Sequence, residues 1–110
     1  MADPRAVVEA LIDTLNAHDC AAGRALYADD PRLLGASGKQ MDLDGLDAML
    51  TSTFTAFPDM KVRVDRWVAE GDTVVTEEVM AGTHAGNVGG VSATNKAIEL
   101  PMVHVTRVVG

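Results

Sequence analysis

Cysteine and aromatic residues are scarce in this chain, and each shortage excludes a class of protein. The 110 residues include one cysteine, Cys20, so no disulfide can form within the chain. No CxxC pair or Cys/His cluster offers a structural zinc site. The four aromatic side chains, Tyr27, Phe54, Phe57 and Trp67, are too few for a platform that stacks nucleic-acid bases.

Positive charge and long apolar runs are lacking as well. Nine Lys and Arg against sixteen Asp and Glu give a formal net charge of −7, which repels nucleic-acid phosphates and anionic membranes. No apolar run exceeds four residues, and the N-terminus has no basic region followed by an apolar stretch. With 47% hydrophobic residues, the sequence predicts one globular, cytoplasmic domain over residues 1–110, with neither nucleic acid nor membrane as a partner.

The first half of the chain predicts helices. Asp3 is placed to cap a first helix that begins at Pro4, and Asp19 to cap a short second one. Asp44 is placed to cap a third helix, which Pro58 ends. The first helix carries an apolar stripe at helical spacing, formed by Val7, Val8, Leu11, Ile12 and Leu15.

From Met60 the period of the apolar residues changes to two. This alternation predicts a strand from Met60 to Val68, followed by a hairpin turn at 70–72. Further strands are predicted over 73–83 and 98–109, joined by a loop that contains three glycines. Helices followed by an antiparallel meander predict an α+β fold, in which three N-terminal helices pack on one face of a curved antiparallel sheet.

Five short phrases of the sequence resemble, in order, those of one family. They are LYADD at 26–30, FPD at 57–59, AEGD at 69–72, GTHAG at 82–86 and VHVTR at 103–107. Together they resemble the SnoaL-like polyketide cyclase branch of the NTF2-like superfamily. The resemblance implies a cone, in which a bent sheet wraps around the helices and encloses an apolar pocket. The superfamily includes cyclases, isomerases, hydrolases, dehydratases and non-catalytic proteins, so this fold does not determine function.

The end of the sequence departs from the family pattern. Relatives usually continue beyond the strand that holds Arg107 into one more strand, whereas this sequence stops at Gly110. We expect the third predicted strand to keep an unpaired edge, and exposed edges recruit other chains. A homodimer is therefore the expected assembly.

The resemblance implies a candidate acid/base group at His104, where relatives commonly carry an inward polar side chain, often Asp. It also favours Glu78 over Glu77 as the inward carboxylate, because relatives commonly carry an inward Trp at the position of Glu78. Histidine exchanges protons near neutral pH, and a carboxylate among apolar side chains is expected to have a raised pKa. The alternative is that both glutamates are exposed or pair with Arg63 or Arg66.

Other side chains are expected to shape the cavity or to contact the ligand, namely Trp67, Phe54, Met80, Met102, Tyr27 and His84. His18, at a helix end, is interpreted as a surface residue. The three histidines lack the helical spacing of a metal site, and no motif predicts a cofactor.

Two specific relatives are disfavoured. Ketosteroid isomerases carry a Tyr and an Asp where this sequence has Leu11 and Gly35. Limonene-epoxide-hydrolase-like proteins pair an Asp with an Arg in the pocket, and Glu78 has no evident inward Arg partner.

Two functional hypotheses remain. The first is a protein that binds a small hydrophobic carbonyl compound. If this protein is an enzyme, it uses cofactor-free acid/base catalysis and acts as a cyclase, isomerase or hydrolase. The second is a non-catalytic binding or assembly module that self-associates through its exposed sheet edge.

Overall fold

The computed structural model describes residues 3–35 and 37–109. Within them the chain forms three helices followed by a three-stranded antiparallel sheet, with a two-stranded ribbon between the second and third helices. The expected α+β arrangement is confirmed. The elements are α1 (Pro4–Asn16), α2 (Cys20–Arg24), β1 (Leu33–Leu34), β2 (Gln40–Met41), α3 (Leu43–Ala56), β3 (Lys61–Glu70), β4 (Thr73–Thr83) and β5 (Ala97–Arg107).

Each helix is preceded by an aspartate whose carboxylate accepts a backbone N–H of the first turn. Asp3 caps α1 and Asp19 caps α2, as the sequence predicts. The predicted cap of α3 is wrong by two residues, because the carboxylate that accepts the N–H of Gly45 belongs to Asp42. Asp44 lies instead in the first turn of α3, where its negative charge is favourable near the helix N-terminus.

Strands β3, β4 and β5 pair in that order, each antiparallel to its neighbour. Gly71, with φ of 59°, turns the chain between β3 and β4, a backbone conformation that glycine adopts without strain. The register of β3 against β4 shifts between Val64 and Arg66, so Asp65 is an extra residue that forms a β-bulge. After the bulge, the residues of β3 that point to each face of the sheet are exchanged.

Helix α1 packs against one face of β3 and β4, which we call the inner face. The buried apolar core lies between them and consists of Val8, Ile12, Met60, Val62, Val74 and Met80. Asn16 ties the end of α1 to β3, since its side chain both donates to and accepts from the backbone of Val62. The apolar stripe of α1 and the inward residues of the alternating strands form this core, which is why both show a regular apolar period in the sequence.

His18 is not the surface residue that the sequence suggested. It is half-buried, its Nε2 donates to the carbonyl oxygen of Met60 at 2.9 Å, and its ring stacks on Phe54 with centroids 4.2 Å apart. Its φ of 55° turns the chain sharply after α1 and brings the ring back under β3. The residue therefore joins the end of α1, α3 and the start of β3.

No helix in the described residues covers the opposite, outer face of the sheet, and large apolar side chains are exposed there, among them Val68, Val103 and Val105. Strands β3 and β5 each lack a neighbour on one side within the described part of the chain. The described helices include none that is long and apolar enough to span a membrane.

Candidate functional site

Two adjacent rows of side chains cross the inner face of the sheet near its centre. Residues paired across antiparallel strands point to the same face, so the registers of β4 with β3 and β5 define these rows. One row consists of Val64, Glu78 and Met102. The next consists of Trp67, Thr76 and His104.

Glu78 and His104 come together between these rows. The Nδ1 of His104 donates to Oε2 of Glu78 at 2.9 Å, across the diagonal between β5 and β4. The Glu78 side chain is only 2% exposed, whereas the His104 side chain is 54% exposed. Glu77 points to the outer face and is exposed. The geometry is thus a buried carboxylate holding a half-exposed imidazole.

Thr76 is a third member of this cluster. Its hydroxyl donates to Oε2 of Glu78, the same oxygen that accepts from His104. Thr76 is 1% exposed, so its hydroxyl has no access to water and needs a partner in the protein. Sequence reasoning missed it, although it lies two residues before Glu78 on the face that was favoured as the inward one.

The pKa of Glu78 is lower than that of a free glutamate, and the predicted increase is wrong. Burial favours the neutral acid and raises the pKa, but the hydrogen bonds from His104 and Thr76, together with the imidazolium charge, lower it by more. The sequence predicted the apolar neighbours of Glu78, but it did not predict the two hydrogen-bond donors to Oε2. Glu78 is therefore ionised near neutral pH.

The pKa of His104 is raised, chiefly by its hydrogen bond to Glu78 and also by the charge of that carboxylate, while partial burial opposes the increase. Since Nδ1 donates to an ionised carboxylate, the neutral ring carries its proton on Nδ1 and its lone pair on Nε2. This arrangement orients the ring and makes Nε2 the nitrogen that can accept a proton. It is the geometry of an oriented general base.

The second carboxylate oxygen of Glu78, Oε1, is buried without a hydrogen-bond partner in the described part of the chain. A buried acceptor without a partner costs free energy. The unpaired Oε1 therefore opposes burial of the carboxylate, whereas the two hydrogen bonds to Oε2 favour it.

Three of the predicted lining residues surround the cluster. Trp67 shares a row with Thr76 and His104, and the guanidinium of Arg5 lies 4.6 Å from its ring centroid. Met102 pairs with Glu78, while Met80, the next inner-face residue of β4, is 7% exposed and part of the core.

The other three lie elsewhere, and no hydrogen bond or aromatic contact in the described residues connects them to the cluster. Phe54 stacks on His18 from α3, and Tyr27 follows α2, with burial raising the pKa of its phenol. His84 is buried beyond the end of β4, where its Nδ1 lies 2.9 Å from Oγ1 of Thr94. Its packing against Phe57 at 5.4 Å is typical of a structural histidine.

Two depressions in the surface lie away from Glu78 and His104. One, of about 330 Å³, is lined by charged and polar residues around Arg24 and Asp42. The other, of about 310 Å³, lies on the outer face and is lined by Val68, Glu70, Thr73 and Val75. Neither depression is lined by Glu78 or His104. The inner-face side chains of β5 beside this pair are partly exposed to solvent, and Leu100 is 48% exposed.

Metal-ligating side chains do not gather at this cluster. Within the described residues, no three His, Cys, Asp or Glu side chains are placed to hold a metal ion.

Known structures resemble the chain over nearly its whole length. IdmH of Streptomyces antibioticus, described as a candidate polyketide cyclase, is 30% identical, with 98% of this chain covering 84% of that one at a TM-score of 0.84. AclR of Streptomyces galilaeus, described as a candidate hydroxylase, is 22% identical, with coverages of 99% and 69% and a TM-score of 0.89. A SnoaL-like protein from Jannaschia is 21% identical, with coverages of 96% and 76% and a TM-score of 0.83.

Among curated proteins, none matches the sequence. The sequence model of one family, SnoaL-like polyketide cyclase, matches residues 5–110. The chain therefore belongs to the SnoaL-like polyketide cyclase family.

Proposed function

We propose that the chain binds a small, largely apolar carbonyl compound and catalyses a cofactor-free proton transfer on it, as in a cyclase or isomerase. The observation that carries the proposal is the oriented Glu78–His104 pair on the inner face of the sheet. The similarity to IdmH, described as a candidate polyketide cyclase, supports the cyclase class.

His104 is the group that moves the proton in this proposal. Its Nε2 removes a proton from the carbon next to the substrate carbonyl, leaving the electron pair as an enolate and the ring as an imidazolium. Glu78 stabilises that imidazolium through Nδ1 and stays ionised itself. In an isomerase the imidazolium then returns the proton to another carbon of the enolate. In a cyclase the enolate carbon instead forms a bond to a second carbonyl carbon of the same molecule, and the alkoxide formed there takes the proton from the imidazolium. Neither route consumes an external oxidant, reductant or cofactor.

The apolar surroundings of His104 suit such a substrate. Trp67 shares its row, while Met102 and Leu100 extend the inner face of β5 and leave apolar surface exposed. Contact with this surface would bring the carbonyl compound to Nε2 and exclude water from it. We therefore expect the part of the substrate on β5 to be apolar except for the carbonyl group beside Nε2 of His104.

The decisive variant is His104→Phe, which keeps an aromatic ring of comparable width and removes both nitrogens. Thermal-shift measurements against apolar ketones, polyketide-like aromatics and size-matched polar compounds would identify binders, and turnover would be followed on those. We expect His104→Phe to lower turnover about 100-fold or more while the protein stays folded. Thr106→Val, on the same face of β5, is the matched control and should keep its activity. Unchanged turnover in His104→Phe would contradict the proposal.

A non-catalytic assembly module is the second candidate. It rests on the 11-residue strand β5, which has no neighbour on one side within the described residues. In that case His104→Phe would leave the oligomeric state unchanged, and no apolar carbonyl compound would be turned over.

A further inference from the structure

We propose that Arg5 is a specificity residue that binds a carboxylate at one end of the substrate, so that the preferred substrates are keto acids rather than neutral ketones or esters. This inference rests on the proposed function, because it concerns the same substrate and the same face of the sheet. It adds a second point of attachment, across the sheet from the carbon that His104 deprotonates.

Arg5 lies in the first turn of α1 and extends over the indole of Trp67. Its guanidinium carbon is 4.6 Å from the ring centroid, a distance at which an aromatic face attracts a cation. Trp67 in turn packs against the buried core. The Nε of Arg5 donates to the carboxylate of Glu9, one turn further along the helix, at 2.9 Å. The indole and the carboxylate therefore hold the guanidinium beside the inner face.

The terminal nitrogens of Arg5, Nη1 and Nη2, make no hydrogen bond or salt bridge with any other described residue. The side chain is 51% exposed, so a ligand in solution can reach them. Together they offer two parallel N–H donors, which is the geometry that pairs with both oxygens of a carboxylate. A carboxylate is therefore the group that this side of the guanidinium fits best.

Arg5 also supplies a positive charge that the sheet lacks. In the part of the chain that the structure describes, the inner-face positions of β3, β4 and β5 hold no lysine or arginine. The formal net charge of −7 makes the remaining surface unfavourable for an anion. Glu9 offsets part of the guanidinium charge, but it bonds Nε and leaves the two terminal nitrogens available. We therefore expect an anionic group of the substrate to lie at Arg5.

The register of the sheet sets the distance between this cation and the general base. Trp67, Thr76 and His104 form one row across β3, β4 and β5. Two strand spacings, about 10 Å, separate the first residue of the row from the last. A substrate bound at both Arg5 and His104 therefore lies across the strands and spans on the order of 10 Å. Two points of attachment would fix which carbon faces Nε2 of His104.

The first test measures binding and needs no turnover. The probes are a homologous series of aryl keto acids with increasing separation between ketone and carboxylate, each tested beside its methyl ester. The signal is the fluorescence of Trp67, the only tryptophan in the chain. We expect the acids to bind about tenfold more tightly than their esters, with the largest difference at a separation on the order of 10 Å. Equal affinities of acids and esters throughout the series would overturn the proposal.

The second test removes the guanidinium. Arg5→Gln should weaken binding of the acid about tenfold and leave binding of the ester unchanged. Arg107→Gln is the matched control, because the Nε of Arg107 likewise donates to a carboxylate at 2.9 Å, that of Asp72, but on the outer face. This variant makes the same change in net charge and should affect neither compound. Equal losses for acid and ester in Arg5→Gln would mean that Arg5 only supports Trp67, which contradicts the proposal.

Turnover separates this inference from the proposed function. Arg5→Gln should raise KM for the acid about tenfold with kcat nearly unchanged, because Arg5 lies away from the reacting carbon. His104→Phe should lose turnover yet still bind the acid more tightly than the ester. Lost turnover in His104→Phe with an unchanged KM in Arg5→Gln would contradict this inference alone. Retained turnover in His104→Phe, with the preference for acids still dependent on Arg5, would contradict the catalytic role of His104 and support the carboxylate site.

Discussion

The two faces of the β3–β4–β5 sheet both carry glutamate and valine, but these residues are buried on the inner face and largely exposed on the outer face. Glu78 on the inner face is buried and receives hydrogen bonds from Thr76 and His104, whereas Glu77, its neighbour in sequence, is exposed on the outer face. Helix α1 covers valines on the inner face, and no described helix covers those on the outer face. Strand alternation alone produces this difference, and what packs on each face then decides what its residues can do.

The pair Glu78→Gln and Glu77→Gln should show the largest difference between the faces. Glu78→Gln removes the charge that holds and polarises His104, so we expect turnover to fall about 100-fold and the pKa of His104 to decrease. Glu77→Gln should change neither quantity. Turnover assays with NMR titration of the His104 ring would measure both, and equal effects of the two variants would contradict the assignment of Glu78.

Burial of the valines offers a second comparison. Val74→Thr places a hydroxyl at a position of 0% exposure, and we expect a loss of about 1–3 kcal/mol in the free energy of unfolding. Val103→Thr makes the same change at a position that is 65% exposed and should cost less than about 0.5 kcal/mol. Urea denaturation would measure both at a concentration where the wild type is monomeric. Similar losses would mean that the outer face is covered in the monomer.

Thr76→Val tests the shared carboxylate oxygen with a side chain of the same shape. Removing the hydroxyl removes one donor to Glu78, so the pKa of Glu78 should rise and the free energy of unfolding should fall by about 1 kcal/mol. Thr76→Ser, which keeps the hydroxyl, should restore the carboxyl pKa, as carboxyl carbon NMR would show. If serine and valine gave the same pKa, Thr76 would serve packing alone.

The smallest effect is the pH dependence of stability. The lowered pKa of Glu78 adds stability above the unfolded value near 4.5, which is lost as the pH falls through the lowered folded value. The raised pKa of His104 adds stability below the unfolded value near 6.5, which is lost as the pH rises through the raised folded value.

The pair is therefore most stabilising between these two unfolded values. The difference in unfolding free energy between wild type and His104→Phe should be largest near pH 5–6 and decrease above it, by at most about 1 kcal/mol because the ring is half-exposed. Denaturation at a series of pH values would show the trend. A difference that grew with pH above neutrality would have the wrong sign for this pair.

The strands were predictable because their apolar residues alternate with a period of two, whereas the choice of Glu78 and His104 as inward residues rested on the family resemblance. Thr83, predicted as the last residue of the second strand, is the last residue of β4, whereas the third strand ends two residues before the predicted Val109. The low pKa of Glu78 was not predictable, because it depends on two donors that meet one oxygen in three dimensions. The packing of His18 depends on a positive φ, which no residue pattern signals for a histidine.

Trp67 shows the limit of alternation most clearly. An uninterrupted period of two from Val62 and Val64 would place Val68 on the inner face and Trp67 on the outer one. The bulge at Asp65 reverses this, so Trp67 joins the row of His104, and Val68 lies beside Val75 and Val105 on the outer face. Trp67 was expected to line the cavity, but the sequence pattern carried no sign of the bulge that places it on the inner face.

One extra residue therefore sets two properties of the molecule at once. Deleting Asp65 would return the second half of β3 to simple alternation, withdrawing the indole from the neighbourhood of His104 and the isopropyl group of Val68 from the outer face in a single event. Point substitutions can tune either face independently, but an insertion or deletion at this position cannot. The bulge thereby couples the inner and outer faces of the sheet. Any insertion or deletion at Asp65 changes the side chains on both faces together.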